Sequence, residues 1–149
     1  MCNVTSASLL APVPFFAAYR ASKAAVAALG ESLRAELAGF GIRVVEVLPG
    51  PIETDMLRDS ERLPEAAAHA DYAAQAELTY QGRKSVSGNT TSAASAAVNI
   101  ADAILAEDAP LRNPCDPLGG GLLASWGAER DEDFQRSLLA AFVPKRPPE

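Results

Sequence analysis

The sequence predicts an α/β fold with a parallel sheet, and three observations predict it. A short β-compatible opening at residues 1–6 is followed by an alanine-rich stretch whose apolar residues recur at spacings of three and four. A β-branched, mostly apolar run then appears at residues 42–48 and stops at Pro49-Gly50-Pro51. Strand, helix and strand in that order make a βαβ unit, with parallel strands and an expected right-handed crossover. The 149 residues are enough for one domain with one core.

Taken in order, residues 1–6 supply the first strand and residues 6–14 a loop containing Pro12 and Pro14. A helix is expected over 17–38. Val26, Leu29, Leu33 and Leu37 form its apolar stripe, Glu31, Arg34 and Glu36 occupy other faces, and Gly39 and Gly41 end it. Residues 42–48 then read as a buried strand. Residues 55–91 differ in character, with Met56, Leu57, Leu63, Tyr72, Leu78 and Tyr80 set among charges and alanines. One or two short helices are expected there, chiefly over 64–78, with a polar loop at 85–91. Val98, Ile100, Ala101, Ile104 and Leu105 mark a helix over 92–107, followed by a turn at 108–110 and a short third strand at 111–113. Pro114, Pro117 and the run Gly119-Gly120-Gly121 read as breaks. The glycines are taken as a flexible turn, since no Gly-Lys-Ser/Thr follows to make a phosphate loop. A last amphipathic helix over 130–142, with Phe134, Leu138, Leu139 and Phe142, precedes a tail expected to be disordered.

Composition narrows the function classes. The formal net charge of -6 opposes a nucleic-acid partner, which calls for a basic face. Cys2 and Cys115 stand far apart and match no metal-ligand spacing, so two reduced thiols in a cytoplasmic protein are expected. His69 is the only histidine, which leaves a zinc site of the usual kind almost no ligands to draw on, and no metal is expected. Its polar, alanine-rich surroundings also argue against a Ser-His-Asp triad. The apolar stretch from Leu9 to Phe16 lacks a basic leader and is interrupted by prolines, and no run is long enough to span a bilayer. No membrane partner is expected. Asn3-Val4-Thr5 and Asn89-Thr90-Thr91 match the glycosylation triplet only by chance.

The chemistry concentrates at Ser6, Tyr19 and Lys23. Tyr19 and Lys23 are four apart on the expected helix and so share a face. A free tyrosine titrates near pH 10, and a nearby ammonium favours the phenolate. Bringing a tyrosine down to neutrality takes roughly 4 kcal/mol, which a lysine in a partly dehydrated pocket can supply. One Tyr-x-x-x-Lys alone is a weak signal. Here Ser6 stands at a strand end thirteen residues before Tyr19, and Pro49-Gly50-Pro51-Ile52-Glu53-Thr54 follows the next strand. Strand ends and a helix start converge on one pocket in open α/β sheets.

This order resembles the short-chain dehydrogenase/reductase family. That family has a serine at a strand end, twelve residues, Tyr-x-x-x-Lys opening a long helix, then a strand and a Pro-Gly turn with a threonine. The stretches from Tyr19 to Ala25 and from Glu31 to Leu37 also read like the family's central helix, and the resemblance covers nearly the whole chain. It implies an NAD(P)-dependent oxidoreductase, using NAD or NADP, that moves a hydride between nicotinamide and a small alcohol or carbonyl substrate. Tyr19 would be the general acid/base. Lys23 would lower its pKa and bind the nicotinamide ribose, and Ser6 would hold the substrate oxygen. Pro49, Gly50, Ile52 and Thr54 would line the nicotinamide. Ser8 is the fallback for Ser6, with a poorer spacing. Residues 55–91 would be a substrate lid, where packing is favoured over substrate contact for Met56, Tyr72 and Tyr80.

The family's Gly-x-x-x-Gly-x-Gly turn occurs nowhere in the 149 residues, nor does its Asn-Ala-Gly stretch or the helix bearing its catalytic asparagine. In family terms the chain holds strands five to seven. The implied fold is therefore a partial Rossmann-like, doubly wound parallel sheet made of the last strands and helices. Residues 1–143 form the C-terminal part of the NAD(P)-binding domain and 144–149 the tail. Such a truncated chain is expected to bind cofactor weakly, for want of a pyrophosphate site, and to expose a sheet edge and a helix stripe. It should be marginally stable with little or no activity, and should form a homo-oligomer through helix 17–38 or associate with a complementary Rossmann half. Two alternatives stay open: a non-catalytic fragment, either a gene remnant or an interaction module using the long helix, and one half of a split enzyme.

Overall fold

Strands and helices alternate as the apolar periodicity predicts, and the three strands pair side by side. The computed structural model describes residues 1–60, 62–128, 133 and 140. Its elements are β1 (Cys2–Val4), α1 (Ala17–Leu37), β2 (Val45–Leu48), α2 (Asp55–Ser60), α3 (Ala70–Ser87), α4 (Ala93–Leu105), β3 (Arg112–Pro114) and α5 (Pro117–Ala128). The sheet order is β1-β2-β3, with both pairings parallel. Cys2 sits opposite Val45, and Val47 opposite Asn113. The α/β class and the parallel sheet are as expected, with β2 central and β1 at the edge of the described sheet.

Val44, Val45, Val47 and Leu48 are buried, as a strand covered on both faces requires. Val47, Ala96 of α4 and Cys115 form the core cluster, against which Cys2, Ile52 and Ile100 pack. Glu46, within the same strand, is only 2% exposed. Thr5 Oγ1 donates to Glu46 Oε1 at 2.7 Å, and Arg112 Nε lies 3.4 Å from Glu46 Oε2. Arg112 also pairs with Glu31 of α1 and stacks over the Trp126 ring at 5.0 Å. A buried charge is tolerated when paired and hydrogen-bonded in this way. This one knots α1, β2, β3 and α5 together.

Several boundaries differ from expectation. Beta pairing in the second strand begins only at Val45, and Ile42 is exposed. The principal helix of the lid region runs over Ala70–Ser87 rather than 64–78. It takes in the first three residues of the segment read as a loop, while Glu65–Ala68 forms a single 3-10 turn. The glycine run is not a turn: Gly119, Gly120 and Gly121 lie inside α5. Pro117 occupies the first helical position, where its missing N–H costs nothing. Gly119 lets the helix approach the sheet closely, because a Cβ there would stand 3.1 Å from the Leu48 carbonyl oxygen. In α1 the buried residues are Ala27 and Gly30, whereas Leu29 is 56% exposed. Small residues face β1 because the helix lies close to Asn3. The helix expected over 130–142 and the tail fall almost wholly outside the described residues.

Candidate active site

The three strands end on one side of the sheet, and the residues expected to carry chemistry gather at those ends. Ser6 follows β1 and is 7% exposed. Its Oγ accepts from the Ser8 N–H at 3.2 Å, capping the short 3-10 turn Ala7–Leu9. That bond uses a lone pair and leaves the hydroxyl proton available to another acceptor. Ser8, the fallback residue, lies beyond the strand end in the same turn, and its buried hydroxyl is without a hydrogen-bond partner.

Tyr19 sits in the first turn of α1, half-buried, with its ring edge-on to Phe16 at 6.0 Å. Lys23 lies one turn on. Its ammonium is 5.9 Å from the centre of the Tyr19 ring and donates to the Val4 carbonyl at 3.4 Å. The four-residue spacing thus brings ammonium and phenol together, and the lysine reaches back to the strand preceding Ser6. Arg20 fixes the same junction: its Nε donates to Ser8 O at 2.7 Å and another guanidinium nitrogen to Leu9 O at 3.1 Å. Beside it Phe15 adopts a left-handed φ of 66°, a conformation uncommon for a bulky residue.

Pro49 and Gly50 extend from β2 beside the loop carrying Ser6, and the Ala7 N–H donates to Pro49 O at 2.9 Å. The Gly50 N–H donates to Asp116 Oδ2 at 2.6 Å. Ile52 pairs with Thr91 through an isolated parallel bridge, and its side chain packs on the core. Thr54 is exposed, and its hydroxyl accepts from the Leu57 N–H at 3.3 Å to cap α2. Ser6, Tyr19, Lys23, Pro49 and Gly50 therefore stand at one end of the sheet. Ile52 and Thr54 lie further along the turn. α3 folds back on this end: Tyr72 meets Phe15 edge-on at 6.2 Å, and Arg83 stacks over Phe16 at 4.5 Å.

Sequence reasoning missed Arg20 and Asp116. An arginine beside Tyr19 carries no periodic signal that it will bond loop carbonyls. Asp116 did carry one, since an aspartate before a proline marks a helix start, but the glycine run hid the helix. Among the described residues, no group of three or more His, Cys, Asp or Glu could hold a metal. No described helix is long and apolar enough to cross a membrane.

Residues 1–64 match the sequence model of the short chain dehydrogenase family. A short-chain dehydrogenase of Pyricularia oryzae is 37% identical over 75 residues, which is 48% of this chain and 26% of that protein. The NADPH-dependent 1-acyldihydroxyacetone phosphate reductase of Schizosaccharomyces pombe is 46% identical over 52 residues, covering 35% of this chain and 18% of that protein. A crystal structure of a short chain dehydrogenase from Burkholderia cenocepacia J2315, in complex with NADP, superposes with a TM-score of 0.65 at 24% identity. That superposition covers 96% of this chain and 48% of the other, a likeness of fold. The chain thus spans about half the length of that structure, and the matched stretch about a quarter of the Pyricularia protein. These likenesses are to short-chain dehydrogenases over part of the chain, and the structural one is a likeness of fold.

Proposed function

We propose that this chain carries the catalytic half of an NAD(P)-dependent short-chain dehydrogenase/reductase acting on an alcohol or carbonyl substrate. The observation that carries the reading is the grouping of Ser6, Tyr19 and Lys23 at the same sheet end as the Pro49-Gly50 turn.

The donor set fits the nicotinamide end of the cofactor. Lys23 offers an ammonium for the ribose hydroxyls, and the turn from Pro49 to Thr54 offers backbone groups for the carboxamide. The cofactor, when bound, would supply or accept a hydride. In the reducing direction Tyr19 would pass its phenolic proton to the substrate oxygen. The Ser6 hydroxyl donates to the same oxygen and holds it toward Tyr19. Lys23 stabilises the phenolate that remains, and α3 limits the entry of water. In the oxidising direction Tyr19 takes the proton back. Positioned proton transfer of this kind contributes about 10²–10⁴-fold in rate.

The pyrophosphate has no glycine-rich turn to sit on within these 149 residues. Turnover would need such a turn in addition to these residues. The exposed Leu29 on α1 and the edge position of β1 support association there, with a second copy or with a complementary Rossmann half. Cys2 and Cys115, both free thiols, support a cytoplasmic setting.

Titration with NADH and NADPH, followed by nicotinamide fluorescence, tests the reading. Saturable binding that Lys23→Ala weakens about tenfold or more, and that Tyr19→Phe leaves within about threefold, is expected. Absence of binding at millimolar cofactor, with the chain folded, overturns it for these residues alone.

A further inference from the structure

The Asp116 carboxylate ties the ends of β2 and β3 together where the Pro-Gly turn leaves the sheet. It is 6% exposed, and both its oxygens are engaged by backbone: Oδ2 accepts from Gly50 at 2.6 Å and Oδ1 from Gly119 at 2.9 Å. Charge-assisted bonds of this kind are roughly twice as strong as neutral ones. The neighbouring carbonyl of the turn, Pro49 O, accepts from Ala7, the residue after Ser6, at 2.9 Å. A shift at Gly50 is therefore carried to the strand end bearing Ser6 through one peptide unit and one hydrogen bond. α5, which Asp116 precedes, also packs on the turn Ala7–Leu9.

We propose that Asp116 is a positioning residue. It fixes the Pro49-Gly50-Pro51 turn and, through Pro49 and Ala7, the placement of Ser6. It acts through the Gly50 amide and touches neither substrate nor cofactor. The importance of the turn rests on the function proposed above, but the hydrogen-bond path does not.

Backbone amide exchange, followed by NMR on the full chain, tests this in the wild type, Asp116→Ala and Asp116→Asn. In Asp116→Ala the Gly50 and Gly119 amides should exchange about tenfold faster or more, and Ala7 about threefold faster. The amides of Val45 and Ala96, bonded to Met1 O and Ser92 O at 3.0 Å each, should keep their wild-type rates. Asp116→Asn retains one carbonyl acceptor and should keep one of the two glycine amides slow. If Asp116→Ala fails to fold, the asparagine variant carries the same comparison. Uniform acceleration at all of these amides marks general destabilisation and overturns the proposal. So does an unchanged Gly50, or a loosened Gly50 with Ala7 unaffected. NADPH titration of the same variants reads the function separately. The expected exchange pattern with no binding by the wild type leaves the positioning role standing and removes the nicotinamide reading. Binding that Asp116→Ala weakens about tenfold supports both. Unchanged binding beside a loosened turn overturns the turn's part in holding the cofactor.

Discussion

An added methyl group at Gly50 and at Gly30 meets two different neighbours. At Gly50 the new Cβ would stand 2.5 Å from Asp116 Oδ1, and at Gly30 it would stand 2.7 Å from Asn3 Nδ2. Asp116 holds two backbone bonds that it must give up in order to move, whereas Asn3 Nδ2 has no hydrogen-bond partner. Gly50→Ala should therefore cost about 2–3 kcal/mol. Gly30→Ala should stay within about 1 kcal/mol, because alanine's better helix propensity offsets the crowding. Urea unfolding of the two variants beside the wild type checks the contrast. Burial pushes the Cys115 thiol above its ordinary value of 9.0, the Asp116 charge adds to this, and a backbone hydrogen bond opposes it. The folded chain thus favours the neutral thiol. The stability it contributes is complete below about pH 9 and is lost as the pH rises from there through the raised folded value. Melting curves should fall more steeply above about pH 9 in the wild type than in Cys115→Ala. The closeness of Tyr19 and Lys23 could be read from the sequence because it is a matter of local spacing. Asp116 and Gly50 are 66 positions apart, a distance at which no periodicity connects them.

Among the elements, α1 combines a legible period with a buried face, Ala27 and Gly30, that its apolar stripe does not mark. Its span was predicted to within a residue, because three- and four-residue spacing is a property of the helix alone. What it buries depends on how closely β1 approaches, and there Ala27 and Gly30 take the place of the larger residues. Leu29 is left outward, and Leu29→Glu should convert any self-associated chain toward monomer with little change in melting temperature. Sedimentation velocity over a concentration series measures this, and an unchanged distribution would exclude α1 as the contact. α5 was misread because three consecutive glycines oppose a helix by about 1 kcal/mol each. Tertiary approach to Leu48, together with the Asp116 cap, outweighs that preference. The buried Glu46 was likewise illegible: a lone glutamate in an apolar strand gives no hint of Arg112 arriving from β3 to neutralise it.

At the scale of the whole molecule, the sheet is held by pairings between distant parts of the chain. Its class and parallel sense were legible, since a strand-helix-strand order admits few topologies. The segment 55–91 was less so, because it mixes alanine, charge and scattered aromatics, and contact with Phe15 and Phe16 decides where α3 lies. The sheet's connectivity also has a kinetic consequence. Thr5 reaches Glu46 across 41 residues, and Asn113 reaches it across 67. A helix relaxes within about a microsecond, but strand contacts of this separation must wait for long loops to close. The helices should therefore appear first and dock slowly. In that interval β2, the most apolar strand, has neither partner, so refolding yield should fall with rising protein concentration even where the folded chain is stable.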